Sequence, residues 1–281
     1  MPPLANPDYP SQPTRDQALA MFRAGLDKAM RDTAAQYSIP ICWIHAENGN
    51  PHIADNGTAF LLDCGAGPFL VTAGHVYQGY LDAKAAHADT VCFLSALKID
   101  LEGRLIGNDQ AFDVVTLRIS QDEVAQLAKL GKFVLTGSQS SWPPAAPTAD
   151  RGVFFVGFPG DGRTLLPYRG GNLVEIDWNG YAALAVATAV NETSITLYFE
   201  RDSEYNIVSR PVAPPEWALG GCSGAPLLNF IEMRGVYSWQ LGGVVTEASG
   251  NILHAARASC IEPDGHVRSH PDLMAYKPRQ Y

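Results

Sequence analysis

From residue 39 to about residue 260 the chain is broken into short apolar runs, ICWIHA, TAFLLD, FLVTAG, TVCFLSA and DVVTLRIS, set apart by Gly, Pro, Asn and Asp. Runs of this kind, rich in Val, Ile, Leu, Phe and Thr and closed by turn formers, read as strands. Residues 136–150, TGSQSSWPPAAPTAD, interrupt them with three prolines and many small polar residues, the composition of a linker. Beyond it the pattern resumes as GVFFVGFPG, NLVEIDW, ALAVATAV, SITLYFE, APLLNF, LGGVVTE and ILHAARAS. The strands therefore fall into two sets, each large enough for a closed sheet or a sandwich. At 281 residues and 46% hydrophobic, the chain can bury one large core or two smaller ones. It shows no internal repeat.

Helical signals are few. Residues 1–13 are proline-rich and are expected to lack fixed structure. Thr14 and Gln17 then form a capping box, and Leu19, Phe22, Leu26, Met30 and Tyr37 recur at helical spacing, which predicts one helix docked by a single face. Ser120 and Glu123 cap a second, short helix over 121–130, with Val124, Leu127 and Leu130 on one side and Gly131 as its stop. In the interior this is the only helix expected.

Net charge and ends narrow the function classes. A charge of −9 with scattered Lys and Arg argues against a nucleic-acid surface. The amino terminus, MPPLANPDYPSQPTRDQ, has no basic start, apolar core or cleavage site of a secretory signal. The longest apolar run, 181–190, is too short to span a bilayer. Five cysteines, at 42, 64, 92, 222 and 260, are odd in number and irregular in spacing, so no disulfide framework is expected and a reducing, cytoplasmic setting is the default.

The stretch 220–226, GGCSGAP, crowds glycines around Cys222 and Ser223. Ordered glycine is costly, so such a run marks unusual dihedrals or a close approach, and a tight loop can aim two N–H groups at one point. A plain glycine turn between strands would look the same. Upstream, the strand FLVTA in 57–80 runs into Gly74 and His75, a position from which a histidine can enter a cleft. Asp113 opens the strand DVVTLRI between Phe112 and Val114, where a carboxylate needs a partner such as an imidazole N–H. His75, Asp113 and Ser223 together supply base, orienting acid and nucleophile. The N–H groups of Gly221 and Ser223 would receive the oxyanion.

FLVTAGHV, DVVTLRI and GGCSGAP, followed by LGGVVTE, resemble the trypsin-like (chymotrypsin-fold) serine peptidases over roughly residues 45–260. The resemblance implies an all-β protein of two antiparallel six-stranded β-barrels with the site between them. It divides the chain into an N-terminal helical extension (1–44), a first barrel with His75 and Asp113 (45–135), a linker (136–150), and a second barrel with Ser223 and the C-terminal tail (151–281). By the same resemblance Val244, Val245, Thr246 and Glu247 form the edge strand that pairs with a peptide or protein substrate, Thr246 supports the Asp113 carboxylate, and the pocket base lies near Trp217, beside Glu216. An indole there suits a shallow pocket for small or apolar side chains, unless Glu216 points inward. No cofactor or metal is implied.

The departures matter too. Members activated by amino-terminal cleavage carry an aspartate before the nucleophile, where this chain has Cys222, so that mode of activation is not expected. No cysteine follows His75, which fits an intracellular or bacterial type without disulfides. Some viral members use a cysteine nucleophile, but the Gly-x-Ser-Gly frame selects Ser223 and leaves Cys222 as a small packing residue. An α/β-hydrolase would need alternating helices and strands, with Asp and His after Ser. Cys260, His266 and His270 match no familiar zinc spacing and read as tail residues. The alternative of a different class is an inert or latent protease-fold module that binds peptides or a partner protein, its activity, where latent, waiting on a regulatory protein partner.

Overall fold

The computed structural model describes residues 14–47, 50–137, 141–166, 175–198, 218–233 and 236–269. In chain order, α1 (Arg15–Met21), a π-turn (Phe22–Leu26) and α2 (Asp27–Tyr37) lead into β1 (Ile39–Glu47), β2 (Asn50–Asp63) and β3 (Phe69–Ala73). Then come α3 (Gly74–Ala86), β4 (Val91–Leu94), β5 (Leu97–Ile99), β6 (Leu105–Asp109), β7 (Val114–Arg118), α4 (Gln121–Lys129) and β8 (Val134–Thr136). The second half carries β9 (Gly152–Gly157), β10 (Arg163–Leu166), β11 (Glu175–Trp178), β12 (Tyr181–Val190), β13 (Ser194–Tyr198), β14 (Pro226–Met233), β15 (Val236–Ser249) and β16 (Ile252–Arg257).

The described residues are mostly β, with one closed barrel, one open sheet and a two-stranded ribbon. Strands β12-β13-β16-β15-β14-β9 close into a six-stranded barrel, every pair antiparallel. Period-two alternation explains how its strands are shared: Val153 and Phe155 of β9 point into the barrel with Ala183, Ala185 and Ala187, while Phe154 and Val156 face the other half of the molecule. These small alanines share the inner wall with the larger Phe155, which pairs with Ala183, and with Tyr181. The first half was expected to close as well. Its ladder instead runs β5-β4-β1-β2-β3-β7-β6, with β8 added in parallel to β2, and stops at the short β5 and the half-exposed β6. The ribbon β10–β11 leaves the barrel and rests Ile176 and Trp178 on Cys42, Ile44 and Ile53 of the first sheet.

A core cluster spans the two halves, combining Phe60, Leu62 and Val71 with Phe154, Leu228 and Val244. Met30 and Ala34 of α2 are buried in the same cluster. Each large apolar side chain removed from water contributes about 1.5–3 kcal/mol, so the extension is part of the core.

Two helical expectations need correction. The Thr14–Gln17 capping box is present, with reciprocal bonds of 2.8 and 3.3 Å, but the predicted single helix is bent at Gly25, whose φ is +93°. The interior also holds α3, 13 residues beginning at Gly74, in addition to the capped α4. Val76, Tyr77 and Tyr80 of α3 are buried over the first sheet, where Tyr80 packs edge-on against Trp43. The linker region is tied down: Trp142 Nε1–H donates to the Ile261 carbonyl, and the Asn229 and Gln240 side-chain amides donate to that of Ala145. Residues 1–13 lie outside the described residues.

Candidate active site

The seam between sheet and barrel opens into a cleft of about 450 Å³ lined by His75, Asp113, Leu219, Ser223, Thr246 and Glu247. A larger cavity of about 620 Å³, beside Tyr80 and the Lys84–Asp100 ion pair, holds none of the residues singled out as a site.

His75 stands in the first turn of α3, where helical N–H groups lack intrahelical partners. Asp113, from the turn entering β7, satisfies them. Its carbonyl accepts from Gly74 N–H at 2.9 Å, and its Oδ1 accepts from His75 N–H at 2.9 Å. The other oxygen, Oδ2, lies 2.6 Å from His75 Nδ1. One carboxylate thus caps a helix and orients its histidine, which also places negative charge at the helix N-terminus. To reach both groups Asp113 adopts φ +52°, a left-handed conformation that aspartate tolerates better than most residues. Gly74 gives it room, since a Cβ there would lie 3.0 Å from Asp113 Oδ1, a tight contact.

The imidazole is half-exposed. Its burial disfavours the charged form, but the hydrogen bond and charge of Asp113, helped by Asp55 and Glu247, outweigh this and raise the His75 pKa above its ordinary value.

The Ser223 loop is held from both halves. Cys222 is fully buried in the barrel core, against Gly157, where an added Cβ would come within 2.7 Å of the Cys222 Cβ. Across the seam, Thr58 N–H donates to the Ser223 carbonyl at 2.9 Å, and the Thr58 hydroxyl donates to the Gly221 carbonyl at 2.7 Å while accepting from Phe158 N–H. Thr72 Oγ1–H donates to the Thr58 carbonyl at 2.7 Å. Gly221 and Gly224 take φ values of +97° and +90°, and both are too crowded for a Cβ. Among the described residues, the N–H groups of Gly221 and Ser223 have no hydrogen-bond partner.

His75, Asp113, Gly221 and Ser223 therefore meet in one place. Ser223 Oγ–H, however, donates to the Thr246 carbonyl at 3.1 Å, and no His75–Ser223 hydrogen bond is made. The Thr246 hydroxyl turns to the His254 carbonyl, not to Asp113 as expected. Val244 and Val245 are fully buried and already paired with neighbours on both flanks, so they cannot serve as an edge for substrate; the strand reaches the cleft at Thr246 and Glu247. Trp217, Glu216 and His270 lie outside the described residues. Cys260 is buried, whereas His266 is exposed and bonded to Asp264. None of the five cysteines is in a disulfide, and all are buried. Among the described residues no helix is long and apolar enough to cross a membrane.

The sequence reading did not find Asn56, Thr58, Thr72 or Gly160. For Asn56, Thr58 and Thr72 the signal was a polar residue at a strand position that should face a core; Gly160, in the turn after β9, carried none.

No family model matches the chain, and no curated protein does. Among solved structures it is similar to a human pathogenic astrovirus serine protease, at 13% identity over 77% of this chain and 88% of that one, with a TM-score of 0.34.

Proposed function

We propose that the protein is a serine endopeptidase of the chymotrypsin-fold type, acting through His75, Asp113 and Ser223. In this reading 45–135 and 151–281 are its two units, with the first sheet an opened counterpart of the closed barrel. The observation that carries it is the 2.6 Å contact between His75 Nδ1 and Asp113 Oδ2 in the cleft that Ser223 also lines. With Nδ1–H held by the carboxylate, Nε2 is the free base. It takes the Ser223 proton as Oγ attacks a peptide carbonyl, and returns that proton to the departing amine. The oxyanion is received by the N–H groups of Gly221 and Ser223. Water, activated by the same imidazole, then releases the acyl group. The substrate is a polypeptide, its backbone lying along Thr246 and Glu247.

A latent form of the same site is the second reading. The bond from Ser223 Oγ–H to the Thr246 carbonyl favours it, because the hydroxyl must rotate toward His75 before it can react. A fluorophosphonate probe should label Ser223, and His75→Ala should abolish labelling. Ser223→Ala should lower turnover on the order of a millionfold. A folded protein that stays unlabelled at every pH, with and without candidate partners, would reject the peptidase.

A further inference from the structure

Whether the loop can receive an oxyanion depends on the peptide plane between Gly220 and Gly221. In a trans peptide C=O and N–H point to opposite sides, so whatever holds the Gly220 carbonyl also aims the Gly221 N–H. That carbonyl accepts from Gly160 N–H at 2.8 Å. Gly160 begins a short 3-10 turn (Gly160–Gly162), and the next residue, Asp161, takes a second hold on the loop by accepting from Ala218 N–H at 2.9 Å.

The turn is in turn braced by Asn56 of β2. This side chain is 5% exposed. Its Nδ2–H donates to the Phe158 carbonyl at 2.8 Å and its Oδ1 accepts from the Arg163 guanidinium, so one amide spans both ends of the 158–163 segment. It also fills the space behind the loop. A Cβ at Gly221 would come within 2.3 Å of Asn56 Nδ2, and one at Gly160 within 3.0 Å of Asn56 Oδ1. A buried amide with both ends bonded has one orientation, and removing it orphans the Phe158 carbonyl.

We propose that Asn56, with Arg163, is a positioning residue for the oxyanion-binding loop: it fixes the turn whose Gly160 N–H holds the Gly220 carbonyl and so keeps the Gly221 N–H aimed at the cleft. This rests on the peptidase reading above. It accounts for a buried amide on the first sheet whose partners lie on the 158–163 segment, beside Gly221.

The test compares wild type, Asn56→Ala and Arg163→Met on a cleaved peptide, on a peptide aldehyde that forms a tetrahedral adduct, and on the unreactive product peptide. Amide exchange at Gly160 is followed by NMR. Loss of an oxyanion donor costs about 100- to 1000-fold in kcat, and a misaimed one should cost about 30-fold or more. For Asn56→Ala the expected result is that loss in kcat, with KM within about threefold and aldehyde affinity falling in parallel. Product peptide should bind as before, and the Gly160 amide should exchange at least about tenfold faster. Arg163→Met should show a smaller loss of the same kind, and it decides the matter on the same readouts if Asn56→Ala does not fold. A folded Asn56→Ala enzyme with wild-type kcat, or one whose loss leaves aldehyde affinity and Gly160 exchange unchanged, overturns this inference alone. A wild type that neither cleaves peptides nor takes the fluorophosphonate overturns the peptidase, and the positioning role with it.

Discussion

Gly224→Ala should be among the most damaging small substitutions in the chain. Gly224 has φ +90°, and a Cβ there would lie 1.9 Å from the Thr58 carbonyl oxygen and 2.4 Å from Thr72 Oγ1, against the 3.0 Å that real Cβ atoms respect. Neither obstacle can step aside, because both threonines are fully buried and the Thr72 hydroxyl donates to that same carbonyl. The left-handed conformation costs an alanine about 1–2 kcal/mol, and breaking the buried hydroxyl–carbonyl bond to make room costs about 1–3 kcal/mol. The expected loss is therefore about 2–5 kcal/mol, a large part of the roughly 5–15 kcal/mol that holds a domain together. Gly220→Ala is the control: no atom lies within 4 Å of its Cβ, and its φ is not in the left-handed range. It should stay within about 0.5 kcal/mol of wild type. Denaturant unfolding followed by tryptophan fluorescence measures both, without reference to catalysis. A Gly224→Ala protein within about 0.5 kcal/mol of wild type, the range of a neutral surface change, would refute the described packing of the loop against β2 and β3.

Two further outcomes follow. Thr58→Val should lose about 2–3 kcal/mol by orphaning the buried Phe158 N–H and Gly221 carbonyl, whereas Thr58→Ser should keep most of it; equal stability of the two variants would speak against the hydroxyl's double role. Because the folded pKa of His75 is raised above 6.5, its imidazole signals should titrate above that value, and under the proposed peptidase mechanism the acid limb of the pH–rate profile should follow them, since that mechanism needs a neutral base. The same shift favours the fold below pH 6.5 and loses its effect as pH rises through the folded pKa. A His75 midpoint at or below 6.5, or one that Asp113→Asn leaves in place, would count against the Asp113 contact.

Much of the β framework was legible because turn formers bracket the apolar runs, and His75, Asp113 and Ser223 stood out through their immediate neighbours. Helix α3 was not legible. Its buried residues, Val76, Tyr77 and Tyr80, make a helical stripe little more than one turn long, and Gly74 and Gly79 weigh against a helix there. Gly25 lay inside an otherwise regular helical pattern, where glycine's tolerance of a positive φ permits the bend without demanding it. The braces of the Ser223 loop were hidden for a different reason. Thr58 meets Gly221 across 163 residues and Asn56 meets Phe158 across 102, and no local pattern encodes such pairings. Likewise, which acceptor the Ser223 hydroxyl finds is a rotamer choice.

Cys222 has one more consequence. The residue next to Ser223 is a wall of the barrel, with no exposed surface and with Phe155, Leu227 and Val245 in the same core. Cys222 anchors the loop in the barrel core on that side. Reactivity and barrel integrity should vanish in a single transition on heating, and a volume change deep in the barrel, far from any substrate, should register as a change in turnover before it registers as unfolding.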